Sequence, residues 1–204
     1  MKFSEKANIQ VVFGDGQFER SIIMNTLERN KDKYCETSLF IPESGRKGKG
    51  RTINTGIDGV LKFIKDDVTR FSLSYIIFID KEHCTSDYES CISRYASKYG
   101  ILISSIQKIR EDFDVYRLMC NVGDKKFFIY FVFLGFYCCI EDFILIKICN
   151  KDVSKFRGEG CCRKYKEILN HIQKEAKESC IEKTYDQLFR VIAIILEDLT
   201  TIKT

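Results

Sequence analysis

The sequence predicts an α/β protein built on a mostly parallel sheet, with helices on both faces, a β-hairpin at the sheet edge and helices at the C-terminus. Up to Ile106, short apolar runs that suit buried strands alternate with segments whose apolar residues recur at helical spacing. Such alternation is typical of parallel strands joined by right-handed crossovers. Two strand-like runs then follow each other directly, and the chain becomes helical from about Cys162.

Four strands and three helices are predicted in the first half of the chain. The strands are expected at 8–13, 37–41, 73–80 and 101–106. The first helix places its apolar residues at Phe18, Ile22, Ile23 and Leu27. The second has the clearest period, i, i+3, i+4, i+7 and i+11, at Ile57, Val60, Leu61, Ile64 and Val68. The third begins at a capping box, Ser86 to Glu89, and ends at Gly100.

The second half of the chain has a different style. Strand-like runs at 115–120 and 126–133 flank a short turn and predict the hairpin. One C-terminal helix is marked by Tyr165, Ile168, Leu169 and Ile172, and another by Tyr185, Leu188, Phe189, Ile192 and Leu196. We therefore expect an α/β domain over 1–150, with a helical extension over 151–204 packed on the same domain.

Composition limits the class of protein. The 204 residues carry a net charge of +4 and are 45% hydrophobic, as in a globular protein. The longest apolar run, 127–140, is shorter than the roughly 18–20 residues that span a bilayer, and two acids follow it, so no membrane span is expected. No signal-peptide core is visible, so we expect a cytoplasmic protein whose ten cysteines are reduced. Their spacing matches neither a zinc knuckle nor a redox motif, since the close pairs are the adjacent Cys138-Cys139 and Cys161-Cys162.

Acidic residues follow two of the predicted strands. Asp15 and Glu19 come after the first strand, and Asp80 and Glu82 come after the third. Ligands of open parallel sheets bind at the carboxyl ends of the strands, and acids two apart in extended chain point the same way. Carboxylate oxygens suit Mg²⁺. The alternative is structural, because acids are also common near helix N-termini, where they interact favourably with the helix dipole.

These residues carry a resemblance to a known family. A strand, an acid-Gly-x-x-Glu turn, a helix and a later apolar strand ending in acid-x-acid together resemble the TOPRIM fold, a Rossmann-like catalytic domain of topoisomerases, primases and OLD-type nucleases, over about the first 145 residues. The resemblance implies a general acid or base at Asp15, a turn glycine at Gly16, a neighbouring acid at Glu19 and metal ligands at Asp80 and Glu82. Glu141-Asp142 is similar to an extra acidic element of some members, which adds Glu141 to the implied metal ligands.

Two residues depart from the family pattern. Asp15 stands where the family has Glu, and Glu82 stands where it usually has Asp. A displacement of about 1 Å can cost a hundredfold in rate. The resemblance is therefore compatible with a divergent active site or with a fold that has lost catalysis. An alternative alignment, which matches Phe13-Gly14 to the family's Glu-Gly, removes the acid and favours the loss of catalysis.

A basic glycine-rich loop at 44–51 is the second candidate site. Its cations, which no acid interrupts, are Arg46, Lys47, Lys49 and Arg51. Backbone amides and cations of this kind bind phosphate. The loop also approaches the P-loop pattern, except that Arg51 replaces its lysine. A solvated loop without a ligand is the alternative.

The sequence thus predicts a protein that uses Mg²⁺ or Mn²⁺ to act on nucleic-acid phosphodiesters, as a nuclease would. The alternatives are an inactive TOPRIM-like module that binds nucleic acid or protein, and a divergent P-loop nucleotide-binding protein. A homodimer or a protein partner is expected to use the C-terminal helices.

Overall fold

The computed structural model describes residues 9–14, 16–33, 39–40, 56–70, 74–84, 87–110, 113–156, 158 and 160–202. The strands in these ranges are β1 (Ile9–Phe13), β2 (Leu39–Phe40), β3 (Ser74–Asp80), β4 (Leu102–Arg110), β5 (Asp114–Val122) and β6 (Lys125–Leu134). The α-helices are α1 (Gln17–Arg29), α2 (Gly56–Val68), α3 (Tyr88–Lys98), α4 (Ile140–Phe143), α5 (Cys161–His171) and α6 (Lys174–Ile202). A π-helical turn, Ile144–Ile148, continues α4.

The strands form one mixed sheet in the order β2-β1-β3-β6-β5-β4. The first four strands in this order are mutually parallel, whereas β5 is antiparallel to both β6 and β4. The predicted α/β class with a mostly parallel centre is therefore confirmed. The β5–β6 hairpin is also confirmed, and its turn uses Gly123 at φ +57°.

Two predictions about strand placement are wrong. The strand expected at 101–106 by a parallel crossover is β4, which pairs antiparallel with β5 at the edge of the sheet. The hairpin expected at the edge instead inserts β6 beside β3, inside the sheet. Burial explains this order, because β6 is apolar on both faces over most of its length, while no residue of β4 is fully buried and Leu102 is 66% exposed. A partly polar strand suits a sheet edge.

Helices cover both faces of the sheet, as predicted. Helices α1, α4, α5 and α6 share one apolar core, and α2 and α3 share the other. The alternation of β3 divides the two cores, with Ile76 and Phe78 on the α1 side and Ile77 and Ile79 on the α2 side. The end of β3 is consequently enclosed from both faces.

The start and end of α3 depend on local backbone chemistry. The Asp87 carboxylate accepts a hydrogen bond from the Ser90 backbone N–H at 2.8 Å. Hydrogen bonding to the side chain and then to the backbone of Ser90 lowers the pKa of Asp87. Gly100 follows the helix at φ +67°, a conformation that favours glycine. The capping function therefore belongs to Asp87, one residue after the Ser86 expected from the sequence, and Ser86 itself lies outside the described residues.

Helix α6 lies across the sheet face that α1 also covers. The Asn25 amide donates a hydrogen bond to the Tyr185 hydroxyl at 3.3 Å. The Asp198 carboxylate accepts hydrogen bonds from Arg117 of β5 at 2.7 Å and from the Tyr130 hydroxyl of β6 at 2.9 Å. Among the described helices, none combines the length and the apolar character that a membrane crossing needs.

Six cysteines form three pairs, Cys84–Cys91, Cys138–Cys161 and Cys149–Cys180, in place of the reduced thiols expected from the sequence. Cys120, Cys139 and Cys162 are free thiols.

Candidate functional site

Three of the predicted acidic residues lie at one end of the sheet. Asp80 is the last residue of β3, Glu19 is in the first turn of α1, which follows β1, and Glu141 is in α4, which follows β6. Because β1, β3 and β6 are neighbouring parallel strands, their carboxyl ends meet at one edge. Two of the predicted sets lie outside the described residues: Asp15, and the cations of the basic glycine-rich loop, Arg46, Lys47, Lys49 and Arg51.

Asp80 and Glu19 form a carboxyl pair. Their side chains share a hydrogen bond, and the Asp80 side chain also accepts a bond from the Ile140 backbone N–H at 3.1 Å. Asp80 is only 7% exposed. The Glu19 carboxylate folds back over Gly16, where a Cβ atom would coincide with it. Because Gly16 has no side chain, the Glu19 carboxylate can occupy the space beside it.

The environment of the site raises the pKa of two of its carboxyl groups, Asp80 and Glu141. Burial raises the pKa of Asp80 well above its usual value, and the hydrogen bond and charge of Glu19 and the charge of Glu141 raise it further. Burial also raises the pKa of Glu141, against the opposing effect of its own backbone N–H and the Cys139 thiol. In the described part of the chain, no ion pair joins a lysine or arginine to any of these three carboxylates.

Glu82 faces a different neighbour from Asp80. After Asp80 the chain enters a 3₁₀ turn, Lys81–His83, so the extended geometry that would align the two carboxylates ends with β3. The Glu82 backbone N–H donates to the Cys138 carbonyl at 3.0 Å, and its carboxylate accepts from the Cys162 thiol at 3.0 Å. Glu82 therefore contacts Cys138 and Cys162 and not the carboxyl pair.

Asp142 organises the loop between β6 and α4. This fully buried carboxylate accepts backbone N–H groups from Tyr137 at 2.9 Å, Cys138 at 2.7 Å and Cys139 at 3.4 Å, and also from Phe136. Burial raises the pKa of Asp142, although these N–H groups oppose the rise. Its neighbour Glu141 is left to face the carboxyl pair.

Metal-binding geometry differs between the carboxylates and the cysteines. In the described chain, ligand atoms within 4.8 Å of one another occur in two groups, Cys138 with Cys161 and Cys162, and Cys138 with Cys139 and Asp142. Glu19, Asp80 and Glu141 have the oxygen donors that Mg²⁺ prefers. The three carboxylates do not form such a group among the described residues.

Two lysines line a groove next to the loop that follows β6, and none of the three carboxylates lines this groove. Lys81 forms an ion pair with Asp114 at 2.6 Å, and the Lys147 ammonium stands 4.5 Å from the centre of the Phe136 ring. The groove lined by these residues has a volume of about 430 Å³ and lies beside Gly135. A larger groove of about 990 Å³ is formed mainly by α5 and the start of α6, and none of the three carboxylates lines it.

The cysteines are the part of this site that sequence reasoning missed. Cys139 contacts both Glu141 and Cys162, and Cys162 contacts Glu82. The available signal was the Cys138-Cys139 pair standing directly before Ile140 and Glu141, with a second adjacent pair downstream.

Comparisons with known proteins bring no relative of this chain. No family model, curated protein or solved structure matches it. The TOPRIM resemblance accordingly stays a hypothesis.

Proposed function

We propose that this protein is a divalent-metal-dependent, TOPRIM-like enzyme that acts on nucleic-acid phosphodiesters. The observation that supports this most is the buried Glu19–Asp80 carboxyl pair at the carboxyl ends of β1 and β3. Open α/β sheets bind their ligands at this position. Glu141 adds a third carboxylate from the end of β6.

The donor chemistry of the site suits Mg²⁺ or Mn²⁺. Asp80 and Glu141 would hold the ion, because crowded carboxylates without an ion-paired lysine repel one another unless a cation joins them. When bound, the ion supplies stabilisation of the charge that develops on the phosphodiester. The involvement of Asp15 and Glu82, which the family resemblance implies, stays a prediction.

The carboxyl pair provides the proton chemistry. Burial, the hydrogen bond to Glu19 and the nearby charges raise the pKa of Asp80 well above its usual value, so a proton is retained within the site. Glu19, which is the less buried partner, exchanges this proton with the leaving oxygen or with the attacking water. The phosphate backbone would be held by Arg46, Lys47, Lys49 and Arg51.

Asp80→Asn tests this function. We expect the wild-type chain to cleave plasmid DNA or RNA with Mg²⁺ or Mn²⁺ and to lose the activity with EDTA. The variant keeps the size of the side chain and removes its charge, so the rate should fall on the order of a hundredfold or more. Asp186→Asn, on the exposed side of α6, is the matched control and should cleave as the wild type does.

Other outcomes identify the alternatives. Unchanged cleavage by Asp80→Asn contradicts the proposed site. Nucleic-acid binding without cleavage under any divalent metal favours the inactive binding module. Saturable ATP or GTP binding that Arg51→Ala abolishes favours the P-loop alternative. The cytoplasmic location and a dimer or partner at the C-terminal helices stay predictions.

A further inference from the structure

Two adjacent-cysteine pairs face each other beside the carboxyl pair. Cys138 and Cys139 end the loop that follows β6, and Cys161 and Cys162 begin α5. The Cys138 and Cys162 sulfur atoms are 3.2 Å apart, and Cys138 and Cys161 are in bonding contact. One sulfur from each of Cys138, Cys161 and Cys162 lies within 4.8 Å of the other two.

The backbone spacing of the Cys138–Cys161 pair suits metal ligands. Their Cα atoms are 7.2 Å apart, compared with 5.9 Å for Cys84–Cys91 and 5.7 Å for Cys149–Cys180. Disulfides usually hold Cα atoms at about 4.4–6.8 Å. Two thiolates on one tetrahedral zinc ion, each about 2.3 Å from the metal, are separated by about 3.8 Å and tolerate the wider backbone spacing.

Glu82 offers a carboxylate beside Cys162 as the fourth ligand. Its carboxylate lies 3.0 Å from the Cys162 sulfur, and its backbone N–H is hydrogen-bonded to the Cys138 carbonyl. Zinc accepts mixed sulfur and carboxylate ligands, whereas Mg²⁺ takes oxygen ligands. Cys139, whose thiol contacts Cys162, is a neighbouring donor from the same loop.

The backbone around the cysteines holds these ligands in position. The Asp142 carboxylate fixes the backbone N–H groups of Cys138 and Cys139. Cys161 and Cys162 are in the first turn of the eleven-residue helix α5, and this turn contains no acidic residue. The positive end of a helix dipole stabilises a thiolate in that turn.

We propose that Cys138, Cys161 and Cys162, in their reduced state, bind a Zn²⁺ ion together with Glu82. Binding replaces the thiol protons, which pass to solvent, and no electron is transferred. The ion fastens the start of α5 to the loop after β6 and to the turn after β3. It is separate from the Asp80 and Glu141 carboxylates proposed for Mg²⁺, and it assigns Glu82, which the family resemblance places in the Mg²⁺ site, to zinc instead.

Cobalt substitution tests the proposal directly. The full chain is reduced with a phosphine, freed of metal and titrated with Co²⁺, then with Zn²⁺. We expect one ion per chain, a sulfur-to-cobalt charge-transfer band with intense visible bands of tetrahedral Co²⁺, and their loss when Zn²⁺ displaces Co²⁺. Excess Mg²⁺ should leave the spectrum unchanged.

Serine variants locate the site. Cys162→Ser, at a half-buried position, and Cys161→Ser should each weaken Co²⁺ binding at least tenfold and reduce the charge-transfer band. Cys120→Ser, at a buried free thiol of β5, is the matched control and should bind Co²⁺ as the wild type does. Absence of the band in the reduced wild type, or an unchanged band in Cys162→Ser, overturns the proposal.

Asp80→Asn separates this inference from the proposed function. The variant should keep the Co²⁺ spectrum while it loses Mg²⁺-dependent cleavage. If neither the wild type nor the variant cleaves nucleic acid, an intact Co²⁺ spectrum still supports the zinc site. Loss of the spectrum in Asp80→Asn with a retained fold by circular dichroism contradicts the assignment of ligands.

Discussion

At the scale of single residues, burial does most to shape the carboxyl pair. Burial raises the pKa of Asp80 more than the hydrogen bond to Glu19 does, and more than the charge of Glu141 does. Glu19 reaches this position because residue 16 lacks a side chain. Gly16 therefore has two roles: it suits the turn before α1, and it leaves room for the Glu19 carboxylate.

Gly16→Ala should dismantle the pair without disturbing the backbone. Gly16 has φ −74°, which alanine adopts readily, but its methyl group would occupy the position of the Glu19 carboxylate. We expect Glu19 to move away and the pKa of Asp80 to fall, since a contact that raises it is lost. Carboxyl-carbon NMR measures that pKa, and any Mg²⁺-dependent cleavage should fall with it.

Gly14→Ala is the matched control for this change. A methyl group there would meet Ile79 and the Phe78 carbonyl at 3.6–3.7 Å, which is ordinary contact. It should leave the Asp80 resonance where the wild type has it. An Asp80 pKa that is equally high in Gly16→Ala would contradict the geometry of the pair.

At the scale of elements, the loop between β6 and α4 depends on one buried carboxylate. Asp142→Asn removes the negative charge and replaces one of the two acceptor oxygens with an N–H₂ donor, so the N–H groups of residues 136–139 that bind that oxygen lose their acceptor. We expect a loss of about 2–4 kcal/mol in the free energy of unfolding, because hydrogen bonds to charged groups contribute about 1.5–3 kcal/mol each. Urea denaturation measures the loss, with exposed Asp186→Asn as the control; equal stability of both variants would refute this role.

Asp114 joins the turn after β3 to strands β4 and β5. It pairs with Lys81 at 2.6 Å and with Lys108 at 3.0 Å. Burial alone would raise its pKa, but the two ammonium groups outweigh burial and hold the pKa below its ordinary value of 3.8. The carboxylate therefore stabilises the fold above that pH, and its contribution is lost as the pH falls through the lowered folded-state pKa.

Asp114→Asn should accordingly lower stability at neutral pH by about 1–3 kcal/mol. The difference between wild type and variant should shrink as the solution is acidified below the ordinary carboxyl pKa. Thermal denaturation over a pH series measures it. A difference that stays constant or grows on acidification would contradict the ion pairs.

At the scale of the whole molecule, α6 contributes a large part of the core on one face of the sheet. Ile195→Ala removes a fully buried side chain from that core and should cost about 2–4 kcal/mol of unfolding free energy. Ile202→Ala, at a position 38% exposed on the same helix, should change it by less than about 0.5 kcal/mol. Equal effects in chemical denaturation would mean that α6 does not pack on the sheet as described.

The order of the strands shows where sequence reasoning reaches its limit. The apolar run of β3 and the helical period of α2 are visible locally, and both elements lie where they were expected. The position of β4 depends on a comparison that is not local. Strand β6 competes for the place beside β3 and occupies it because both of its faces are apolar, so β4 is left at the edge.

Side-chain periodicity and turn chemistry are local properties, and they were enough to predict the α/β class, most of the elements and the acids at the ends of β1 and β3. Which groups meet depends on the tertiary structure. In the folded chain, Glu82 contacts Cys162 instead of Asp80, and Cys138 lies against Cys161, from which it is 23 residues distant in sequence. Contacts of this range depend on how strands and helices pack, which residue spacing does not record.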